Sequence, residues 1–101
     1  MHVIARPKLT GFGAKHTDAG EWLDDWWNVA SKANWTCLED VRQTYGKADR
    51  VNHCLVFDRG TKYRLIVRVS YANEHTRGTL FVKHFLTHAE YDKDFWKRDC
   101  Q

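Results

Sequence analysis

The apolar positions change period partway along the chain. Trp22, Trp26, Val29, Ala30 and Ala33 recur at spacings of four, three, one and three, which predicts a helix over about 19–33 with its Trp face buried. Asp18 followed by Glu21 reads as a capping box at its start, and Thr36 with Glu39 as a second, opening a shorter helix that Gly46 ends. Upstream, His2–Ala5 is a short extended start cut off by Pro7. Lys8–Lys15 is helical in pattern, although Gly11 and Gly13 weaken it. In the second half the period falls to two. Cys54–Phe57 reads as a strand and Asp58-Arg59-Gly60 as a turn. Tyr63, Leu65, Val67, Val69 and Tyr71 then fall on one strand face, with Lys62, Arg64, Ile66, Arg68 and Ser70 on the other. After a polar loop at 73–78, Thr79–Leu86 is the next strand. Tyr91 to Lys97 reads as a terminal helix, with residues 99–101 frayed. Helices followed by a strand meander predict a small single α+β domain over 1–101, its N-terminal helices on one face of a twisted antiparallel β-sheet.

Composition fits that picture. The chain has 101 residues, 43% of them hydrophobic, with five Trp, five Phe and four Tyr. Large aromatics let a short chain build a core. No run approaches the ~18 apolar residues of a membrane span, and the N-terminal stretch lacks the apolar segment of a signal peptide. The expected compartment is the cytoplasm. Cys37, Cys54 and Cys100 are odd in number, widely spaced and without a CxxC, which supports neither a zinc ribbon nor a disulfide framework. Cys54 reads as a small core filler.

Charge changes the picture more. Residues 1–58 carry a net −1. Residues 59–88 carry Arg59, Lys62, Arg64, Arg68, Arg77 and Lys83 against a single acid, Glu74, a net +5. Such a local excess is the footprint of a polyanion or an acidic protein, or else a solvated strand face. Lys62, Arg64 and Arg68 at alternate strand positions suit successive phosphate contacts, Arg64 foremost because its neighbours Tyr63 and Leu65 fix the strand. His84 and His88 would lie ~13 Å apart on a strand, too far to share a metal, and no other ligand cluster accompanies them. No metal or other cofactor is expected. His88 sits where a strand ends and THAEYD begins. An imidazole there can move a proton at neutral pH, and beside Arg64 it could act on a ribose 2′-OH or a leaving 5′-oxygen. Tyr91 could stack a base or donate to phosphate. Thr87, Glu90 and Asp92 have a plainer use as caps of the helix that follows. No phosphate-cradling glycine loop, GxSxG or Cys–His pair is present.

The runs LVFDRGTKYRLIVRVSYA and FVKHFLTHAEYDKD, with MHVIARPKL at the start, resemble the HigB branch of the RelE-like toxins of bacterial toxin–antitoxin pairs. The resemblance spans essentially the whole chain. It implies an α+β toxin that cuts mRNA on the ribosome as an endoribonuclease and is silenced by a HigA-type helix-turn-helix antitoxin. Operator DNA would be reached only through that complex. It also implies catalytic roles for Arg64, His88 and Tyr91, with Lys62, Arg68, Lys83, His84 and His53 as RNA-binding candidates. Many relatives have a lysine on the strand before YRL, where this chain reads His53-Cys54-Leu55-Val56-Phe57. His53 or Lys62 are the available substitutes, which leaves the general base open. Two other classes fit the same residues: a RelE-like module that binds RNA or the ribosome without cutting, and an interaction protein whose basic face receives an acidic segment.

Overall fold

A computed structural model describes residues 1–60 and 62–101. Five strands form one sheet in the order β1-β5-β4-β3-β2: β1 (His2–Ile4), β2 (Asp49–Val51), β3 (Cys54–Arg59), β4 (Tyr63–Ser70) and β5 (Thr79–Thr87). The helices are α1 (Arg6–Lys15), α2 (Gly20–Lys32), α3 (Leu38–Thr44) and α4 (His88–Asp92), with 3₁₀ turns at Thr17–Ala19 and Phe95–Cys100. The α+β expectation holds, with one change in the sheet. The meander β2 to β5 is antiparallel, but β1 pairs with β5 in parallel, so the sheet is mixed.

The alternation of β4 sorts its two faces as expected. Tyr63, Leu65 and Val67 join Leu55, Phe57, Leu80, Val82 and Phe85 in the main core, against Leu23, Trp26 and Ala30 of α2. Burial of Leu23, Trp26 and Ala30 follows the three- and four-residue helical repeat, whereas Val29, expected inside, is 37% exposed. Glu21 and Lys32 lie at the ends of α2 that suit their charge. In β5 the parity reverses. Ile66 opposes His84 but Val67 opposes Val82, which leaves Lys83 as an extra, bulged residue. The bulge lets Leu80 and Val82 before it and Phe85 after it all face the helices. Gly78 closes the β4–β5 loop at φ +77°. A Cβ there would meet the Ala72 nitrogen at 2.6 Å, so only glycine fits.

The other sheet face is not bare. Cys54, Val56, Ile66 and Leu86 pack under Trp96 and Cys100 in a second, smaller core. The expectation of helices on one face alone is therefore incomplete, and the C-terminal expectations need correction. Instead of one helix over 91–97, α4 stops at Asp92, Asp94 turns the chain at φ 63°, and a 3₁₀ turn returns it over the sheet. Residues 99–101 are tied down rather than frayed. His53 N–H donates to the Cys100 carbonyl at 2.8 Å, and Arg68 Nη1 donates to the carbonyls of Asp99 and Gln101. Cys54 and Cys100 form a disulfide, leaving Cys37 free. Wide spacing hid the pairing, because the two thiols are 46 positions apart, with β4 and β5 between them.

Local boundaries moved for identifiable reasons. Neither of the first two capping boxes forms. Asp18 sits inside the 3₁₀ turn with its carboxylate on Lys62 and Tyr63. Thr36 bonds Asp40 rather than Glu39, and α3 ends at Thr44, ahead of Gly46. Asp58 and Arg59 belong to β3, so the turn begins at Gly60. A capping box does form at α4, where the sequence offers Thr87 and Glu90 as caps: Thr87 Oγ1 accepts from the Glu90 N–H, and Glu90 Oε1 accepts from the Thr87 N–H.

Candidate functional site

Arg64 is the second residue of β4 and faces away from the helices, directly opposite Asp58 of β3. Cross-strand neighbours of opposite charge meet naturally on one sheet face. Here Arg64 Nε lies 3.1 Å from Asp58 Oδ1. Nη1 donates to the carbonyls of Gly60 at 3.2 Å and Tyr63 at 3.0 Å. The side chain is only 16% exposed. Among the described residues Nη2 has no partner, so a well-held guanidinium keeps donors for something else.

Behind Arg64 stands α4. The capping box fixes the start of this five-residue helix, and the His88 N–H donates to the Lys62 carbonyl at 3.2 Å, tying it to the β3–β4 turn. Tyr91 follows one turn later, so His88 and Tyr91 are helix-face neighbours. The Arg64 guanidinium carbon lies 5.8 Å from the Tyr91 ring centre. Trp96 stacks on Tyr91 at 4.9 Å and 16°, and its indole N–H donates to the Tyr91 carbonyl at 2.8 Å. Burial pushes the Tyr91 phenol above its ordinary pKa, which keeps its proton on at neutral pH. His88 is exposed, its Nε2 3.8 Å from Asp92 Oδ2. Glu90 is held below the usual carboxylate range, chiefly by the Thr87 N–H.

The residues singled out in the sequence thus separate into groups. Arg64 and Tyr91 come together, and His88 lies one helical turn before Tyr91 on α4. Lys62 precedes β4 instead of sharing its basic face, and its Nζ is 2.7 Å from Asp18 Oδ2 on the helix side. Arg68 is spent on the Asp99 and Gln101 carbonyls. His84 Nε2 lies 2.6 Å from Asp99 Oδ2 and meets the Phe95 ring edge-on. His53 belongs to the same neighbourhood at the start of β3, where it lines a small recess with Arg50, Asn52 and Gln101. His53 and Asp58 are five positions apart along the strand direction, about 16 Å, so His53 does not reach Arg64. Lys83 lies over the exposed Phe81 ring at 5.9 Å. Among the described residues no three His, Cys, Asp or Glu side chains cluster as metal ligands, and no helix is long and apolar enough to cross a membrane.

Sequence reasoning missed Asp58 and Trp96. Asp58 was assigned to a turn. With β3 extended through Arg59 and Arg59 opposite Tyr63, the Asp58–Arg64 pairing follows from register. Nothing local marks Trp96 as the ring beneath Tyr91.

Beside Arg64 a cleft of about 530 Å³ opens between the α3–β2 loop and the β3–β4 turn, lined by Thr44–Ala48, Asp58, Gly60 and Arg64. The mRNA interferase HigB of Escherichia coli O6:H1 is 27% identical over 97 residues, which covers 92% of this chain and 90% of that protein. The family model described as HigB_toxin, RelE-like toxic component of a toxin-antitoxin system, matches residues 19–94. That match takes in α2, the β2–β5 meander and α4, and on it the chain belongs to the HigB toxin family.

Proposed function

We propose that the protein is an mRNA interferase, an endoribonuclease that cuts mRNA on the ribosome and is held inactive by a HigA-type antitoxin. The observation that carries this reading is the Arg64 site itself, in a chain of this family. A guanidinium is gripped by Asp58 and the β3–β4 turn and braced by Tyr91, and an exposed histidine lies one helical turn before that tyrosine. The compartment is the cytoplasm, where ribosomes are, and operator DNA is reached only through the antitoxin complex.

Internal attack forms a bond from the ribose 2′-oxygen to phosphorus and breaks the bond from phosphorus to the 5′-oxygen. Charge accumulates on the non-bridging oxygens, where the free Arg64 donors stabilise it without reorganising. His88 in its protonated form delivers a proton to the departing 5′-oxygen, and the 2′-proton leaves to solvent. Tyr91 keeps its hydroxyl proton and donates to phosphate. Stacking on a base is the lesser use, since Trp96 covers one face of its ring.

Mapping 5′ ends on mRNA in translating ribosomes tests the reading. Wild type should create new ends at fixed codon positions, absent with Arg64→Ala or His88→Ala and absent on naked RNA. Stalled translation with no new ends would make the protein a non-cleaving binder.

A further inference from the structure

The cleft beside Arg64 has a second cation that the basic run of 59–88 does not include. Lys47 lies in the α3–β2 loop, which is anchored at both ends. The Ala48 N–H donates to the Tyr45 carbonyl at 2.9 Å, closing a turn with Gly46 and Lys47 at its tip. Arg42 Nε donates to the Ala48 carbonyl at 2.8 Å. The Tyr45 ring packs on Phe57 at 5.2 Å, and Ala48 is buried. Lys47 is therefore an exposed side chain on a fixed turn, across the cleft from Arg64.

Neighbouring cations are committed elsewhere. Arg42 pairs with Asp49, Lys62 with Asp18, and Arg59 donates to the Asp18 carbonyl. Among the described residues no carboxylate lies within ion-pairing distance of Lys47. Asp58, the acid of the lining, is already matched to Arg64. Gly46 and Gly60 leave the two lips without side chains, and a Cβ at Gly60 would stand in open space. This is a cleft with a glycine on each lip, one held guanidinium and one unmatched ammonium.

We infer that this cleft is the path of the RNA strand, with Lys47 taking a phosphodiester next to the one on Arg64. The inference rests on the reading of the protein as an RNA-cleaving toxin, and adds a strand-positioning residue. Lys47 holds a phosphate that does not react, so its loss weakens binding and leaves the chemical step alone.

The test titrates a short single-stranded 2′-O-methyl oligoribonucleotide, which cannot be cleaved, at several low salt concentrations. Wild type is compared with Lys47→Ala, Lys47→Arg and the remote Lys32→Ala. Lys47→Ala should weaken binding about three- to tenfold and lower the slope of log K against log salt by about 0.7, the loss of one phosphate contact. Lys47→Arg should restore both, and Lys32→Ala should match wild type. In translating ribosomes Lys47→Ala should raise the concentration for half-maximal cleavage with the limiting rate unchanged. Equal affinity and slope for wild type and Lys47→Ala would overturn the inference, as would no binding by wild type at low salt. The two readings fail separately. Binding that depends on Lys47 without any new 5′ ends would sink the nuclease and keep the cleft. New ends unaffected by Lys47→Ala would do the reverse.

Discussion

Asp58 holds Arg64 from the adjacent strand, Oδ1 to Nε at 3.1 Å, with both side chains mostly covered. This contact aims the guanidinium and occupies the edge of it that the turn carbonyls do not. A surface ion pair contributes little, but one that fixes a planar donor group sets geometry. Asp58→Asn should leave the fold intact and lower the limiting cleavage rate about tenfold with little change in half-saturation, since a misplaced transition-state donor costs mainly kcat. Arg64→Lys should not rescue function, because an ammonium cannot make the same three-sided set of bonds. Single-turnover cleavage in programmed ribosomes checks both. Full activity in Asp58→Asn would show that Arg64 needs no such support.

Trp96 is fully buried, stacked on Tyr91, and reaches Arg64 only through that ring. Trp96→Ala should cost about 3–5 kcal/mol by leaving a cavity in the smaller core, a large share of the total for a domain of this size. Tyr91→Phe keeps the ring and its stacking, so its melting temperature should stay within a degree or two while cleavage falls if the hydroxyl meets phosphate. Thermal melts beside cleavage assays separate the two effects. A Tyr91→Phe variant as active as wild type would confine Tyr91 to bracing Arg64.

The parts of this site that the sequence exposes are the ones with local signals. The alternation of Tyr63, Leu65, Val67 and Val69 places Arg64 on the face away from the helices, and the THAEYD run places His88 at a strand end, although the sequence starts the following helix at Tyr91 and the structure starts it at His88. Beyond Asp58 and Trp96, the missed contacts are long-range. Asp18 is 44 residues from Lys62, Arg68 is 33 from Gln101, and Cys54 is 46 from Cys100. Each pairing exists only after the C-terminal segment or the Thr17–Ala19 turn has docked, and no periodicity encodes that docking. The bulge at Lys83 likewise swaps faces mid-strand, so strict alternation misplaces the residues beyond it.

The Cys54–Cys100 bond closes the C-terminal segment over the smaller core. A link across 46 residues restricts the unfolded chain by about 4 kcal/mol in the chain-entropy view. The Cys54→Ala, Cys100→Ala double variant should therefore melt at a lower temperature than wild type, with its C-terminal amides exchanging fastest. Cys37→Ala should leave both unchanged. Thiol counting in denaturant without reductant should give one reactive thiol for the oxidised wild-type protein, and three would show that the bond does not form.

Asp18 gives the fold a dependence on acid whose sign follows from its partners. Hydrogen bonds from the Lys62 ammonium and then the Tyr63 hydroxyl hold its carboxyl below the usual carboxylate range. The charged form is thus favoured in the folded chain. Its stabilisation is present above the unfolded value, near 3.8, and is lost as pH falls through the lower folded value. Asp99, held low by His84, and Asp40, held low by Thr36, act in the same sense. Melting temperature should therefore drop as pH is lowered from about 5 to about 2.5. In Asp18→Asn it should start lower at neutral pH and drop less, because one of the titrating carboxylates is gone while the others remain. Parallel melting curves for the two proteins across this range would show that solvent screens the Asp18–Lys62 pair completely, and that the β3–β4 turn is held by its backbone and by Tyr63 packing alone.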